Sequence, residues 1–397
     1  MALAYQPSPE LSVVLSAAAL GCRRHRANAL NISWQQLDWD KTVKLANFHG
    51  LSCWLAEYIK EVEQVPESIK HRLMKKQRVQ LLTYLHIEQQ KSELTSALNG
   101  LGIRFALLKG GAVAKSLYKH RWYYRALSDV DILVEPSQLK ATFELLHSLG
   151  FSDVNQYPLT ESAIEQIAKY HQHLNVIEHT LQFPKQKLEL DVHWKLRNEV
   201  LFPLSSEKLF SEIIRDEEVG FRLSTSVEFI HLCAHGMGDG WRKLKALVDI
   251  MYYAENITDW NLIDETAEQL GLSHVVNVSL ALCDFFFATE YRAKSNLTKK
   301  ERVLFDFVLN GFNRDNESPP VHSYLDKRNL YCFIKTSLSW WLALSSQLFS
   351  VTRVIKFILT PNNTDLSQGK LPRTDKFGFS FFIRIKRVIR KYLWVKG

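Results

Sequence analysis

Hydrophobic positions along the chain repeat at two different intervals, and the change between them divides it. Over residues 9–100 the interval is helical. Pro66 to Leu98 reads as one long polar helix carrying Leu73, Leu81, Leu82, Leu85 and Ile87 at an imperfect helical spacing. Ser33 followed by Gln36 has the form of a capping box. After Leu101 the pattern changes. Ile103 to Leu108 predicts a short strand, Lys109-Gly110-Gly111 a turn, and Ala112 to Tyr118 a helix. Asp129 to Val134 predicts a second strand, in which acids alternate with apolar residues before an apolar end. Ser137 is placed to cap a helix over Leu139–Leu149 that Gly150 closes. His173–Phe183 and Lys187–Trp194 predict a hairpin turning at Pro184-Lys185-Gln186. From Ser206 the helical interval returns, with helices predicted over 226–234, 244–253, 260–270, 275–288, 299–309 and 333–349, and a polar loop around 313–329. The pattern predicts an α+β protein. An N-terminal helical region (1–100) precedes a small mixed-sheet core (101–200). A C-terminal helical domain (201–360) forms the other wall of a cleft, and a tail (361–397) follows.

Composition narrows this. With 46% hydrophobic and 23% charged residues, the chain of 397 residues has ordinary globular content, which excludes wholesale disorder and fibrous repeats. The net charge of +8 is concentrated at one end: from Val351 to Gly397 there are eleven Lys/Arg and two Asp, so residues 1–350 are near neutral. An evenly basic nucleic-acid binder is therefore not expected. Five scattered cysteines without a CxxC pair fit reduced thiols in the cytoplasm. Near the N-terminus Glu10 precedes the apolar patch and the positive charges follow it, the reverse of a secretory signal. The uncharged stretch Thr336–Thr352 contains five Ser and is short for a bilayer crossing.

Three features of the middle unit carry chemistry. Gly110-Gly111 sits between strand and helix, where backbone N–H groups can approach an anion closely. Asp129-x-Asp131 places two carboxylates on one face of a strand, an arrangement suited to Mg²⁺. Asp191, in Leu188-Glu189-Leu190-Asp191-Val192-His193, supplies a third carboxylate from a later strand and can complete a two-metal site.

This order resembles the DNA polymerase beta-like nucleotidyltransferase superfamily. More narrowly, Leu107-Leu108-Lys109-Gly110-Gly111-Ala112, Tyr118, Arg125-x-x-Ser128-Asp129-Val130-Asp131-Ile132-Leu133-Val134 and Asp191-Val192-His193-Trp194 are similar to a large, uncharacterised bacterial nucleotidyltransferase family. So is the later run His231-Leu232-Cys233-Ala234-His235-Gly236 with Trp241, Leu244 and Asp249. The resemblance implies Mg²⁺-dependent transfer of a nucleoside monophosphate from an NTP, with Mn²⁺ as an alternative metal. The acceptor would be a hydroxyl or phosphate on a small molecule, saccharide or protein. It implies that Asp129, Asp131 and Asp191 hold two metals, that Asp191 assists deprotonation of the acceptor, and that Lys109, Gly110, Gly111 and Arg125 hold the triphosphate. The chain departs from the pattern in two places. The 17 residues Ala112–Ser128 between turn and acids are a long gap, and Gly111 stands where many active relatives have Ser. A noncatalytic nucleotide-binding or scaffold protein of a biosynthetic gene cluster is the alternative.

Several residues have two readings. Arg125 either clamps phosphate or pairs with a local acid. His231 and His235, at i and i+4, suggest a metal pair, but no HExxH is present and buried hydrogen-bonded histidines explain them better. Gly236-Met237-Gly238-Asp239-Gly240 follows a helix rather than a strand, so it reads as a helix-breaking loop leading to Trp241. His193, His235 and Asp249 are candidates for supporting the site. Residues 379–395 form a basic amphipathic helix candidate, which either packs on the protein or makes a peripheral membrane contact.

Overall fold

The computed structural model describes residues 5–22, 33–127, 129–154, 159–171, 176–183, 189–197, 202–217, 220–292, 296–312 and 317. The helices expected over 333–349 and 379–395, the turn at 184–186, His173 and Ser128 lie outside the described residues.

Four helices come first: α1 (Pro9–Ala18), α2 (Trp39–His49), α3 (Ser52–Ile59) and the long α4 (Glu67–Gly100). The core follows, with β1 (Phe105–Leu108), α5 (Lys109–Tyr118), β2 (Asp129–Val134), α6 (Leu139–Ser148), β3 (Ser152–Asp153), α7 (Glu161–Tyr170), β4 (Glu178–Gln182) and β5 (Glu189–His193). A short helix α8 (Ser206–Ser211) and a hairpin of β6 (Ile213–Asp216) and β7 (Gly220–Leu223) lead to α9 (Thr225–Gly238), α10 (Lys245–Ala254), α11 (Trp260–Gln269), α12 (Ser273–Phe287) and α13 (Lys299–Gly311). The fold is α+β, as the pattern predicted. Among the described residues no helix is long and apolar enough to cross a membrane.

The five-stranded sheet has the order β1-β2-β5-β4-β3. β1 runs antiparallel to β2, β2 parallel to β5, and β4 antiparallel to both β5 and β3. Alternation along β2 explains how the sheet can serve two purposes. Val130, Ile132 and Val134 enter a core with Leu190 and Val192 of β5, Phe143 and Leu146 of α6, and Leu94 and Leu98 of α4. Leu133, with Ala106 and Leu108 of β1, belongs to a second, larger core built from the N-terminal and C-terminal helices together. Asp129 and Asp131 share the face of Leu133 by the same alternation.

Several local expectations are corrected. No capping box forms at Ser33: a single 3₁₀ turn, Trp34–Gln36, stands there without a side-chain cap. Asp38 instead accepts the Lys41 N–H at 2.9 Å and opens α2, because its carboxylate lies directly before the apolar-periodic stretch. Ser137 falls inside a 3₁₀ turn (Pro136–Gln138) and does not cap α6, although Gly150 follows that helix with φ 89° as expected. Lys109-Gly110-Gly111 is not a turn but the first residues of α5. Gly236–Gly238 continue α9, and the break comes at Asp239–Gly240. The hairpin β6–β7 interrupts the stretch read as helical from Ser206.

The chain is closed by a distant contact. Glu317, 3% exposed, accepts the Ser8 N–H and Ser8 Oγ–H at 2.6 Å each and the Tyr5 O–H at 3.0 Å, while its backbone carbonyl accepts His49 Nε2–H at 2.9 Å. Ser8 is also the N-cap of α1, so Glu317 holds the residue that starts the first helix. Cys22, Cys53, Cys233 and Cys283 are buried thiols outside any disulfide.

Candidate active site

The parallel β2–β5 register pairs Asp131 with Asp191 directly and Asp129 with Glu189. Neighbouring strands lie about 4.8 Å apart and register partners project to the same side, so Asp131 and Asp191 share one face. His193, two residues after Asp191, projects to that face too. Ligand atoms of Asp131, Asp191 and His193 all lie within 4.8 Å of one another. Asp129 stands one side-chain step along the same face and outside this group. His193 therefore enters the cluster itself, where only a supporting position was expected.

Lys109 is delivered to the cluster by an unusual backbone. β1 pairs Leu108 with Asp131, so the next residue emerges beside the carboxylate. Lys109 adopts φ 43°, a left-handed conformation that disfavours a side chain by roughly 1 kcal/mol or more. Its Nζ donates to Asp131 Oδ1 at 2.8 Å, and His193 Nε2 meets the same oxygen at 2.8 Å. Burial alone would raise the proton affinity of Asp131, but Lys109 and His193 outweigh it and hold the carboxyl well below the usual range. An ionised carboxylate only accepts, so His193 Nε2 carries its hydrogen. His193 Nδ1 lies 3.0 Å from Glu178 Oε2 but lacks the alignment of a hydrogen bond. Asp191 behaves oppositely. Burial, with the charges of Glu178 and Asp131 beside it, pushes its carboxyl up to about 6, although Thr180 Oγ1 donates to its Oδ1 at 2.6 Å.

Arg125 is engaged elsewhere. Its Nε and Nη2 form a bidentate pair with the Asp249 carboxylate at 2.8–3.0 Å, joined by the Tyr118 hydroxyl. Asp249, on α10, is 2% exposed. The glycine at 110 is explained by this pair: a Cβ there would lie 2.8 Å from Leu127 Cδ2 and 3.0 Å from Arg125 Nη1. Lys245, at the start of α10, donates to the Ala126 carbonyl at 3.3 Å. Burial and the charge of Arg125 bring its ammonium down to about 8.

α9 closes the other side. His231 is 1% exposed and its Nε2 has no hydrogen-bond partner, so the expected satisfied histidine is not formed. Burial first, then the charges of Lys109, Arg197 and His193, keep the ring neutral. His235 is half-buried, with Nδ1 3.8 Å from Asp239. Arg197, four residues beyond His193, donates from Nη2 to the His235 carbonyl at 3.1 Å. Sequence reasoning passed over Arg197 and Thr180. Thr180 becomes conspicuous only once the β4–β5 register sets it opposite Asp191.

The model of a family described as uncharacterised nucleotidyltransferase matches residues 35–288. That span contains the sheet, α9 and α10, and most of the long N-terminal helices. Comparison with curated proteins returns no match.

Proposed function

Because the chain belongs to the uncharacterised nucleotidyltransferase family, we propose that it transfers a nucleoside monophosphate from an NTP to an acceptor hydroxyl or phosphate. The observation that carries this reading is the direct pairing of Asp131 with Asp191, on one sheet face with His193. Asp131 and Asp191, with Asp129 beside them, are the residues to hold Mg²⁺ or Mn²⁺. Carboxylate oxygens suit both ions. A bound cation would supply neutralisation of charge on the phosphoryl oxygens.

The remaining work falls to side chains of this chain. Asp191 takes the proton of an acceptor hydroxyl. Thr180 fixes the orientation of the Asp191 carboxylate for that transfer. Lys109 holds Asp131 ionised and presents an ammonium beside it for a phosphate oxygen. Gly110 and Gly111 offer backbone N–H groups at the start of α5. Arg125 is a positioning residue, acting through Asp249 to hold the start of α5 against α10.

Pyrophosphate release from each of the four NTPs with Mg²⁺ or Mn²⁺ and cell extract tests the reading. Asp131→Asn and Asp191→Asn should each lower release on the order of 100-fold or more, as expected when charge stabilisation is removed. Release that survives both substitutions would sink it.

A further inference from the structure

Two half-buried guanidinium groups among the described residues are matched with carboxylates. Arg125 pairs with Asp249, and Arg222 pairs with Asp216 and Glu228. Arg197, half-buried, has no carboxylate oxygen within 4.0 Å among the described residues, and its hydrogen bond goes to the uncharged His235 carbonyl. Of the carboxylates among the described residues only the more distant charges of Asp239 and Glu178 act on it, so its fork is open to an anion from outside the chain.

Two further observations give this cation a purpose. The last turn of α9 is hollowed for it: a Cβ at Gly238 would overlap all three outer atoms of the Arg197 guanidinium. The helix thus carries a low-propensity residue where the guanidinium needs room. One helical turn before His235, whose carbonyl Arg197 holds, His231 carries a buried Nε2 with no hydrogen-bond partner. The charges of Lys109, Arg197, His193 and Asp131 all act on the His231 ring.

Resting on the nucleotidyltransferase reading, we propose that Arg197 is the residue that receives the phosphate chain of the nucleotide. The α9 wall then presents a fixed bidentate donor to phosphate oxygens, while the sheet face presents carboxylates for the cation. Arg125 has its fork already occupied by Asp249 and does not compete for this role.

Inorganic pyrophosphate and Mn²⁺ are the probes, measured by calorimetry on the full chain. Wild type should bind both. Arg197→Gln should weaken pyrophosphate binding at least tenfold, with Arg197→Lys intermediate, and leave binding of Mn²⁺ alone unchanged. Gly238→Ala should weaken pyrophosphate similarly, because it displaces the guanidinium without removing it. Its melting temperature should stay at the wild-type value, since a flexible side-chain end is what moves. Pyrophosphate binding that is absent from wild type, or equal in wild type and Arg197→Gln, overturns the proposal. So does a parallel loss of Mn²⁺ binding, which would mark Arg197 as merely structural. If pyrophosphate binding depends on Arg197 but Mn²⁺ binding ignores Asp131→Asn, the anion site stands and the metal reading fails.

Discussion

Asp131 and Asp191 are register partners across β2 and β5, the one parallel pairing among the described strands. The pairing sets two carboxylates side by side yet gives them opposite tendencies. Asp131 lies between two donors, Lys109 and His193, and stays ionised. Asp191 has one neutral donor, Thr180, and is pushed toward its protonated form by burial and its acidic neighbours. One site thereby offers both a permanent anion and a proton acceptor.

The first prediction follows from Asp191. Its carboxyl lies near 6 in the folded protein against 3.8 ordinarily, so the folded state binds its proton more tightly than the unfolded one. Stability from this group is present below about pH 4 and is lost as pH rises through about 6. Without added metal, Asp191→Asn should raise the melting temperature at pH 8 and leave it unchanged at pH 4. A variant less stable than wild type at pH 8 contradicts this.

Divalent cation should reverse that penalty. Mn²⁺ should raise the melting temperature of wild type at pH 8, by about 2.7 kcal/mol of stability at a hundredfold excess over Kd. It should do little for Asp131→Asn. Equal shifts in both proteins would place the cation elsewhere.

His49 predicts the acid limb of the stability curve. Its ring is buried, and burial, only partly offset by the bond to the Glu317 carbonyl, brings it down to about 4 from 6.5. The unfolded chain therefore binds the proton first, and stability falls as pH drops from about 6.5 toward 4, by about 3 kcal/mol. His49→Gln keeps a donor for that carbonyl. Chemical denaturation should show it less stable at pH 7 but with a flatter pH dependence below 6.5.

Arg125 and Asp249 should behave as a unit. Arg125→Met leaves a buried carboxylate unpaired and should cost about 3–5 kcal/mol. The double variant Arg125→Met/Asp249→Leu should recover part of that loss in denaturant titrations. Strict additivity would show that the two side chains are not coupled.

How much of this could be read from the chain follows from the range of the interactions. β2 and α11 begin where alternation and helical spacing place them, because their faces are buried on fixed periods. The acids of the DxD strand and Asp191 were visible for the same reason. The ion pair of Arg125 with Asp249 spans 124 positions, and nothing local announces it. The left-handed Lys109 was hidden because a lysine there contradicts propensity and persists through its bond to Asp131. The β6–β7 hairpin was hidden because four-residue strands give too few alternations to outweigh the helical stretches on either side.

The anchoring of Ser8 by Glu317 has a consequence for how the protein is made. The two residues are 309 positions apart, so α1 emerges from the ribosome long before the side chain that holds its first residue exists. At synthesis rates of about 5–20 residues per second the interval is roughly 15–60 s. During that time the apolar face of α1, with Leu11, Val14 and Leu15, can pack on α2 and α3 but still lacks its contact with α12. A nascent chain halted before residue 317 should therefore remain protease-sensitive at its N-terminus and draw chaperones there, even when its sheet has already closed.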